Sequence, residues 1–309
     1  MSQPVLLPAL TLPSPLHRLD ALSRAWGLEL WAKRDDLIPE CLGGNKVRKV
    51  HRILSHALAT GDRPDLLVTN GGVESNHARV VALMGARLGI RTHLVLHGEA
   101  PAAEQMGGNT YFQRAAGARI SYVESDAIAS TIAGVVDEAQ QAGRRFLVIP
   151  GGGHHSQGVE AYADAVRELP FMPDLIVHAS GTGGTQAGLI AGVTRLGART
   201  RVIGISVARA KARGVEAIRE LLPPDTPEAA VILDDEHRFG GYGRHTPELT
   251  GFISDVARLE GIPLDPTYTG KAMFALCDLA SKRAGLSSPR VIFWHTGGLL
   301  NLHATKMEA

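Results

Sequence analysis

The sequence predicts an α/β protein built on two parallel sheets. Three observations lead there. Short apolar runs rich in Leu, Val and Ile alternate with longer amphipathic stretches along nearly the whole chain. Several of these runs end directly in glycine clusters: Asn70-Gly71-Gly72, Pro150-Gly151-Gly152-Gly153, Gly181-Thr182-Gly183-Gly184-Thr185 and His295-Thr296-Gly297-Gly298. No internal repeat, low-complexity segment or long polar linker interrupts the alternation. Strands alternating with helices imply parallel strands with helices on both faces. Ligands then bind beyond the carboxyl ends of the strands, the edge on which glycine loops that follow strands must fall.

The elements follow in order. Pro13 and Pro15 oppose helix, so Pro13–Leu19 is an extended leading segment. Leu19–Trp26 suits a short helix, and Glu29–Lys33 a strand closed by Arg34-Asp35-Asp36. Gly43 and Gly44 allow a tight turn, and Asn45 suits a helix cap. Apolar residues then recur at Val47, Val50, Leu54, Ala57 and Leu58, the spacing of one buried helical face. Strands are expected at 66–69, 92–96, 119–123, 145–149, 174–178, 201–207 and 290–294. Helices are expected at about 75–88, from Gly107 to Gly117, over 126–142 with Asp126 as cap, 156–169, up to Leu196 after the glycine loop, 212–222, 247–260 and 270–284.

Composition sets bounds. A chain of 309 residues has room for about two domains. With 44% hydrophobic and 20% charged residues it reads as an ordinary globular protein. The net charge is +1, from 32 basic and 31 acidic residues, without charge runs. Nucleic acid and anionic membrane surfaces are therefore not expected partners. Two cysteines, Cys41 and Cys277, suit a reducing, cytoplasmic setting and are too few for a structural zinc site. Met1 to Pro15 has four prolines and no basic stretch, so a secretory signal is not expected. No apolar run is long enough to span a bilayer.

Lys46 falls in the first turn of the helix after the Gly43-Gly44 turn. The helix N-terminal field, Arg48 and Lys49 disfavour protonation of an amine there. Such an amine is the nucleophile a Schiff-base lysine must be. By itself the residue reads as one more solvated lysine in a first turn; three downstream stretches change the reading. Gly181-Thr182-Gly183-Gly184-Thr185 follows a strand and opens a helix, where backbone N–H groups and the helix field attract an anion. A dinucleotide fingerprint would need a third glycine where Gln186 stands, and an acid further on. No Gly-Lys-Ser/Thr triplet is present, so a nucleoside-triphosphate loop is excluded. A monophosphate such as that of pyridoxal phosphate remains.

Glu74-Ser75-Asn76-His77 sits at a helix start after a strand. Ser75 is either a plain helix cap or a hydroxyl facing a cofactor; Asn76 would donate to a ring oxygen; His77 reads as an orienting or surface residue. No ligand-spaced His, Asp or Glu partners are present, so no metal is expected. Gly240-Gly241-Tyr242-Gly243 and Tyr268-Thr269-Gly270-Lys271 place two of the chain's 5 tyrosines in glycine-flanked loops, where packing alone is the other reading. Thr296 would be a neutral partner for a ring nitrogen at the last strand end.

Together these stretches resemble the pyridoxal-phosphate enzymes of the D-cysteine desulfhydrase / 1-aminocyclopropane-1-carboxylate (ACC) deaminase family. The likeness runs from Pro13-Ser14-Pro15-Leu16 and Lys33-Arg34-Asp35-Asp36 to His295-Thr296-Gly297-Gly298. It implies the tryptophan-synthase-β-like fold type II. It also implies a large cofactor-binding domain, residues 1–43 and 157–309, with a small domain inserted at 44–156. The family further implies a homodimer and a small amino-acid substrate. It assigns Lys46 to the cofactor's aldehyde carbon, and Lys49 with the loop Gly181, Thr182, Gly183, Gly184 and Thr185 to the phosphate. Asn76 is assigned to the phenolic oxygen and Thr296 to the surroundings of the pyridine nitrogen. Ser75 would serve as carboxylate binder, proton shuttle or nucleophile, Tyr242 and Tyr268 as the active-site tyrosines, and Glu74, Asn76 and His77 would border the substrate.

Within the family, Tyr268-Thr269-Gly270-Lys271-Ala272-Met273, His295-Thr296 and His77 are similar to the desulfhydrase branch. The sequence departs from both branches at Glu74, where glutamine is usual, at Leu299-Leu300-Asn301 and at Pro39-Glu40-Cys41. The expected reaction is β-elimination, D-cysteine to pyruvate, ammonia and hydrogen sulfide, with Lys46 or Ser75 as base. Alternatives on the same fold are ACC deamination, cysteate desulfonation, diaminopropionate elimination and β-replacement. A non-catalytic phosphate- or pyridoxal-phosphate-binding module would predict a missing lysine or a broken loop, and neither is missing.

Overall fold

The structure, a computed structural model, describes residues 7–61, 63–102, 107–282 and 289–304. In chain order the first half contains β1 (Leu16–Arg18), α1 (Asp20–Trp26), β2 (Glu29–Arg34), α2 (Asn45–Ala59), β3 (Leu66–Gly72), α3 (Asn76–Leu88), β4 (Arg91–His97), α4 (Gly108–Ala115), β5 (Arg119–Val123), α5 (Ile128–Gln141) and β6 (Phe146–Ile149). The second half contains α6 (Ser156–Val166), β7 (Leu175–Ser180), α7 (Gly184–Arg195), β8 (Arg201–Ser206), α8 (Lys211–Arg219), β9 (Ile232–Asp234), α9 (Pro247–Glu260), α10 (Thr269–Ser281), β10 (Arg290–His295) and α11 (Asn301–Ala304). The chain divides into two compact units, residues 7–10 with Lys46–Gly158, and Thr11–Asn45 with 159–304.

The larger unit carries a six-stranded sheet in the order β1-β2-β10-β7-β8-β9. All pairs are parallel except β1 with β2. Its central strands β10, β7 and β8 are apolar on both faces, as a doubly covered sheet requires. Leu30, Val177, Ile205 and Phe293 join Leu22, Leu249, Ile253 and Met273 in one core, built with α1, α9 and α10. Their neighbours in sequence, Ile176 and Ile292 with Trp294, join Tyr162, Val166, Leu189 and Ile190 of α6 and α7 in a second. The period of two along β10 thus assigns Phe293 and Trp294 to opposite faces. Because β10 lies between β2 and β7, with His295 opposite Arg34 and Trp294 opposite His178, the carboxyl ends of these three strands are neighbours. The segments that leave them are Asp35-Asp36, Thr296-Gly297 and Gly181–Thr185.

The smaller unit holds a four-stranded parallel sheet, β5-β4-β3-β6. Ala78 and Ala82 of α3 pack on Leu94 and Leu96. Helix α2 buries Val47, Val50 and Leu54, as its spacing predicted, and Ile53 with them; Ala57 and Leu58 are half-buried. Fully burying such side chains stabilises by about 1.5–3 kcal/mol each. Leu54→Ala would therefore cost on the order of 2–5 kcal/mol.

Asn45 is the first residue of α2, and its side-chain amide donates to Thr185. Three local expectations change. Asp126 is not the cap of α5: Ser125–Ala127 winds one tight turn first, and Ala127 occupies the cap position without a side-chain bond. Strand β9 was not foreseen. The helix expected over 270–284 runs from Thr269 to Ser281, and residues 283 and 284 lie outside the described residues. No described helix is long and apolar enough to cross a membrane, and the described residues contain no group of three or more His, Cys, Asp or Glu able to hold a metal.

Candidate active site

In the larger unit the site begins at the turn before Lys46. Four successive residues, Cys41, Leu42, Gly43 and Gly44, have φ of 47°, 64°, 69° and 94°. Two are not glycine, and residues held in sparsely populated backbone regions concentrate at functional sites. A Cβ on Gly43 would lie 2.4 Å from the Asp36 carbonyl oxygen, and one on Gly297 2.7 Å from the Gly44 Cα. Backbone therefore packs directly on backbone here. The Gly44 N–H donates to the Asp35 carbonyl (2.8 Å), the Asn45 N–H to the Thr296 carbonyl (3.0 Å), and Asn45 Nδ2 to Thr185 Oγ1 (2.9 Å). The residue peptide-bonded to Lys46 is thus tied to two of the predicted cofactor residues.

Two acids brace this turn. Asp35 is fully buried, and its carboxyl oxygens accept from Ser14 Oγ (2.7 Å), Tyr162 Oη (2.6 Å) and Trp294 Nε1 (2.8 Å). Asp36 takes Arg34 through Nε (2.9 Å) and Nη2 (2.6 Å) and lies 3.2 Å from His295 Nδ1. On its other side the His295 ring donates Nε2–H to the Pro263 carbonyl (2.9 Å). In the sequence these acids read only as the end of a strand and as part of the family resemblance. The partners of Asp35 stand 21 to 259 positions away, which no local pattern reveals.

The loop Gly181–Thr185 opens α7 with Gly183 at the cap, φ +91°, and no side-chain cap bond. A Cβ on Gly183 would lie 2.9 Å from Ile218 Cγ1, so the protein itself demands this glycine. At Gly181 the nearest contact of an added Cβ is Val207 Cγ2 at 3.9 Å, so nothing in the chain does. A glycine that the protein does not need leaves room for something else to approach the backbone. Further along the unit, the hydroxyls of Tyr242 and Tyr268 are 2.8 Å apart and their rings meet edge to face, 5.8 Å between centroids. Burial, then Tyr242, holds the Tyr268 phenol well above the usual tyrosine range. Tyr268 therefore stays protonated and able to donate.

In the smaller unit Lys46 is half-buried and Lys49 fully buried. Lys49 Nζ donates to the Gly152 carbonyl (2.5 Å). Burial, with the like charge of Lys46, holds its amine well below the ordinary lysine range. Ser75 caps α3, accepting from the Ala78 N–H (3.2 Å). The bland reading of Ser75 is thus correct, and it consumes only a lone pair of the hydroxyl. Asn76 Oδ1 accepts from Arg79 Nη1 (3.2 Å), which turns the amide NH2 the other way. Arg79 also donates to Asn109 Oδ1 (3.0 Å).

His77 is not a surface residue; it is buried. Thr69 Oγ1 donates to the Ile149 carbonyl (2.6 Å) and so accepts from His77 Nε2 (2.9 Å), which fixes the ring proton on Nε2. Burial, then the charges of Lys46 and Lys49, hold this imidazole well below the usual histidine range. It is neutral, and its Nδ1 lone pair has no hydrogen-bond partner among the described residues. Glu74 is turned to α4: its carboxylate accepts from the Asn109 N–H (3.3 Å) and its carbonyl from Asn109 Nδ2 (3.1 Å). Burial raises its carboxyl above the ordinary range, against the hydrogen bonds from Thr110 and Asn109.

The sequence profile of the pyridoxal-phosphate dependent enzymes matches residues 9–297. The chain belongs to this family. A protein of Pyrococcus abyssi (strain GE5 / Orsay), provisionally named as a 1-aminocyclopropane-1-carboxylate deaminase, is 34% identical over 302 residues, 93% of this chain and 89% of that one. The 1-aminocyclopropane-1-carboxylate deaminase of Methylobacterium nodulans (strain LMG 21967 / CNCM I-2342 / ORS 2060) is 34% identical over 312 residues, 93% of this chain and 92% of its own. A crystal structure described as that of an ACC deaminase homologue superposes with a TM-score of 0.84 at 33% identity, covering 97% of this chain and 96% of that one. The two α/β units are those of fold type II, and the family's cofactor is pyridoxal phosphate. The residues present fit it. They include an amine at a helix start, a glycine loop whose first glycine the chain does not require, and neutral donors in Asn76 and Thr296.

Proposed function

We propose that the protein is a lyase that deaminates a small amino acid by β-elimination, with D-cysteine as the substrate best supported. D-cysteine and water would give pyruvate, ammonia and hydrogen sulfide. The observation that carries the choice is His77. Buried and neutral, with Nδ1 closed off from solvent, it suits a substrate side chain that brings no charge, as the thiol of D-cysteine does and the sulfonate of cysteate or the ammonium of diaminopropionate does not.

Pyridoxal phosphate, when bound, supplies the electron sink for charge developing at the substrate Cα. The chain's own residues supply the rest. Lys46 Nζ would hold the cofactor's aldehyde carbon, and Lys46 Nζ or Ser75 Oγ would take the Cα proton. Backbone N–H groups of Gly181–Thr185 would hold the phosphate at the start of α7. Lys49 would serve there too: Gly152 takes one N–H of its amine, and a phosphate beside it would favour the proton that burial and Lys46 disfavour. Asn76 would donate to the phenolic oxygen, through the NH2 that Arg79 turns away from itself. Thr296 would give the ring nitrogen a neutral partner. The Tyr242–Tyr268 pair would hold a proton between two phenol oxygens beside the substrate. Glu74 supports α4 and would border the substrate only through its backbone.

A second reading, ACC deamination to 2-oxobutyrate and ammonia, is favoured by the names of the relatives at 34% identity. Equal amounts of the purified enzyme, loaded with pyridoxal phosphate, would be given D-cysteine or ACC. Sulfide with pyruvate supports the first reading. 2-Oxobutyrate from ACC, with D-cysteine inert, replaces it by the second.

A further inference from the structure

Lys271 is a buried ionisable group that the reaction above does not use. Its side chain is fully buried, and Nζ donates to the carbonyls of Arg238 (2.7 Å) and Gly241 (2.6 Å). These are not arbitrary acceptors. The Arg238 carbonyl also takes the Gly241 N–H (3.0 Å), and the Gly241 carbonyl takes the Arg244 N–H (3.2 Å). They close two successive turns that meet at Gly241, the residue before Tyr242. Phe239, Gly240, Gly241 and Gly243 all have positive φ, from 48° to 113°. Such a segment makes no sheet or helix ladder and depends on outside donors for its shape.

Lys271 lies in the first turn of α10, three residues after Tyr268. The N-cap and first turn of one helix therefore supply both the partner of the Tyr242 hydroxyl and the anchor of the Tyr242 loop. An ammonium at a helix N-terminus meets an unfavourable field, and Asp265 offsets it. The Asp265 carboxylate caps α10 by accepting from the N–H groups of Thr267 (3.0 Å), Tyr268 (2.9 Å) and Thr269 (2.9 Å). Among the titratable groups on elements packed against α10, Asp265 is the one whose charge bears on Lys271. His237 is engaged by Asp234 and Asp278, Arg238 by the Asp235 carbonyl, and His178 by the Ala179 carbonyl.

We propose that Lys271 is a positioning residue: its amine head holds the 238–243 loop so that the Tyr242 hydroxyl stays on that of Tyr268. The proposal rests on the reading of these two tyrosines as active-site residues. Its test therefore uses a structural readout beside a kinetic one. Backbone hydrogen exchange over 238–244 would be followed by mass spectrometry in the full-length protein, with and without pyridoxal phosphate. The proteins compared are wild type, Lys271→Met, Lys271→Arg, Tyr242→Phe and the Tyr242→Phe/Lys271→Met double variant.

Loss of two hydrogen bonds to one loop should speed its exchange by about tenfold or more. Lys271→Arg, which keeps charge and donors, should restore protection. Lys271→Met should lower kcat by the same factor as Tyr242→Phe, with KM moving less, and add nothing in the double variant. Unchanged protection in Lys271→Met overturns the anchor. Factors that multiply in the double variant overturn action through Tyr242. A loosened loop together with a fully active Tyr242→Phe keeps the anchor, sinks the tyrosine reading, and so removes the positioning role in the reaction. Should Lys271→Met not fold, Lys271→Leu, which likewise has no donor, takes its place with the same criteria.

Discussion

Two glycines of one loop should respond to the same substitution in opposite ways. Gly183→Ala puts a Cβ where φ is +91°. An L-residue in left-handed backbone loses about 1–2 kcal/mol. The new methyl would also lie 2.9 Å from Ile218 Cγ1 and 3.2 Å from the Ile218 backbone nitrogen. The second contact is with backbone of α8, which cannot step aside as a side-chain tip can, and overpacking of this kind costs about 1–3 kcal/mol. The sum is about 2–5 kcal/mol. With a urea m-value of about 3 kcal/mol/M the midpoint should fall by roughly 1 M. Gly181→Ala meets only Val207 Cγ2 at 3.9 Å, so stability should stay within about 0.5 kcal/mol. If backbone at 181 approaches the cofactor phosphate, this second variant should nonetheless bind pyridoxal phosphate more weakly. Urea unfolding of the cofactor-free proteins by circular dichroism, with cofactor titrations by absorbance, reads both quantities. A Gly183→Ala variant as stable as wild type, or a Gly181→Ala variant with unchanged cofactor affinity, would refute this division of labour.

Lys271 has its pKa lowered by burial to about 8, against 10.5 for a free lysine, with Asp265 opposing. In that window the unfolded chain binds the proton and the folded chain does not, so stability should rise with pH. The wild-type unfolding free energy should gain up to about 1.4 kcal/mol per pH unit over that of Lys271→Met between pH 8 and 10; a flat difference would remove the shift. Burial raises the Glu74 carboxyl in the fold, so the charged form is disfavoured there and its contribution to stability falls as pH rises through its titration. Glu74→Gln can still accept from α4 and should hold or raise stability at pH 7 without changing the preferred amino acid; a switch of substrate would return Glu74 to the site. Tyr162→Phe removes a donor to the buried Asp35 and should cost about 1–3 kcal/mol in urea unfolding. An unchanged midpoint would show that Asp35 does not brace the turn before Lys46.

The sheets and helices were legible because a parallel α/β fold repeats one local signal: an apolar run, a glycine loop, an amphipathic helix. Helix α2 and the helix over 247–260 follow this rule directly. Strand β9 escaped because Val231-Ile232-Leu233 is short and sits just beyond a stretch of prolines. The cap of α5 was misplaced because Ser125–Ala127 turns before the helix begins, and a single Asp cannot announce an extra turn. In the site, Ser75 at a helix start and the glycines before α7 were visible as motifs. What was not visible depends on distant partners. Asp35 is explained by Tyr162 and Trp294, Lys271 by carbonyls of 238 and 241, and His77 by Thr69 and the Ile149 carbonyl. Burial decided these roles, and burial of a polar residue is the property that sequence pattern conveys least. Glu74 shows the same limit from the other side: an acid that looked available for a substrate proves to be turned to α4.

The most direct test of the account is the absorbance spectrum of wild type and Lys46→Ala after identical reconstitution with pyridoxal phosphate, each scanned before and after D-cysteine. Wild type should show a visible band from a lysine-bound cofactor that shifts on D-cysteine as sulfide and pyruvate appear, and Lys46→Ala should show neither band nor turnover. A Lys46→Ala protein that keeps the band and the products would contradict the central claim.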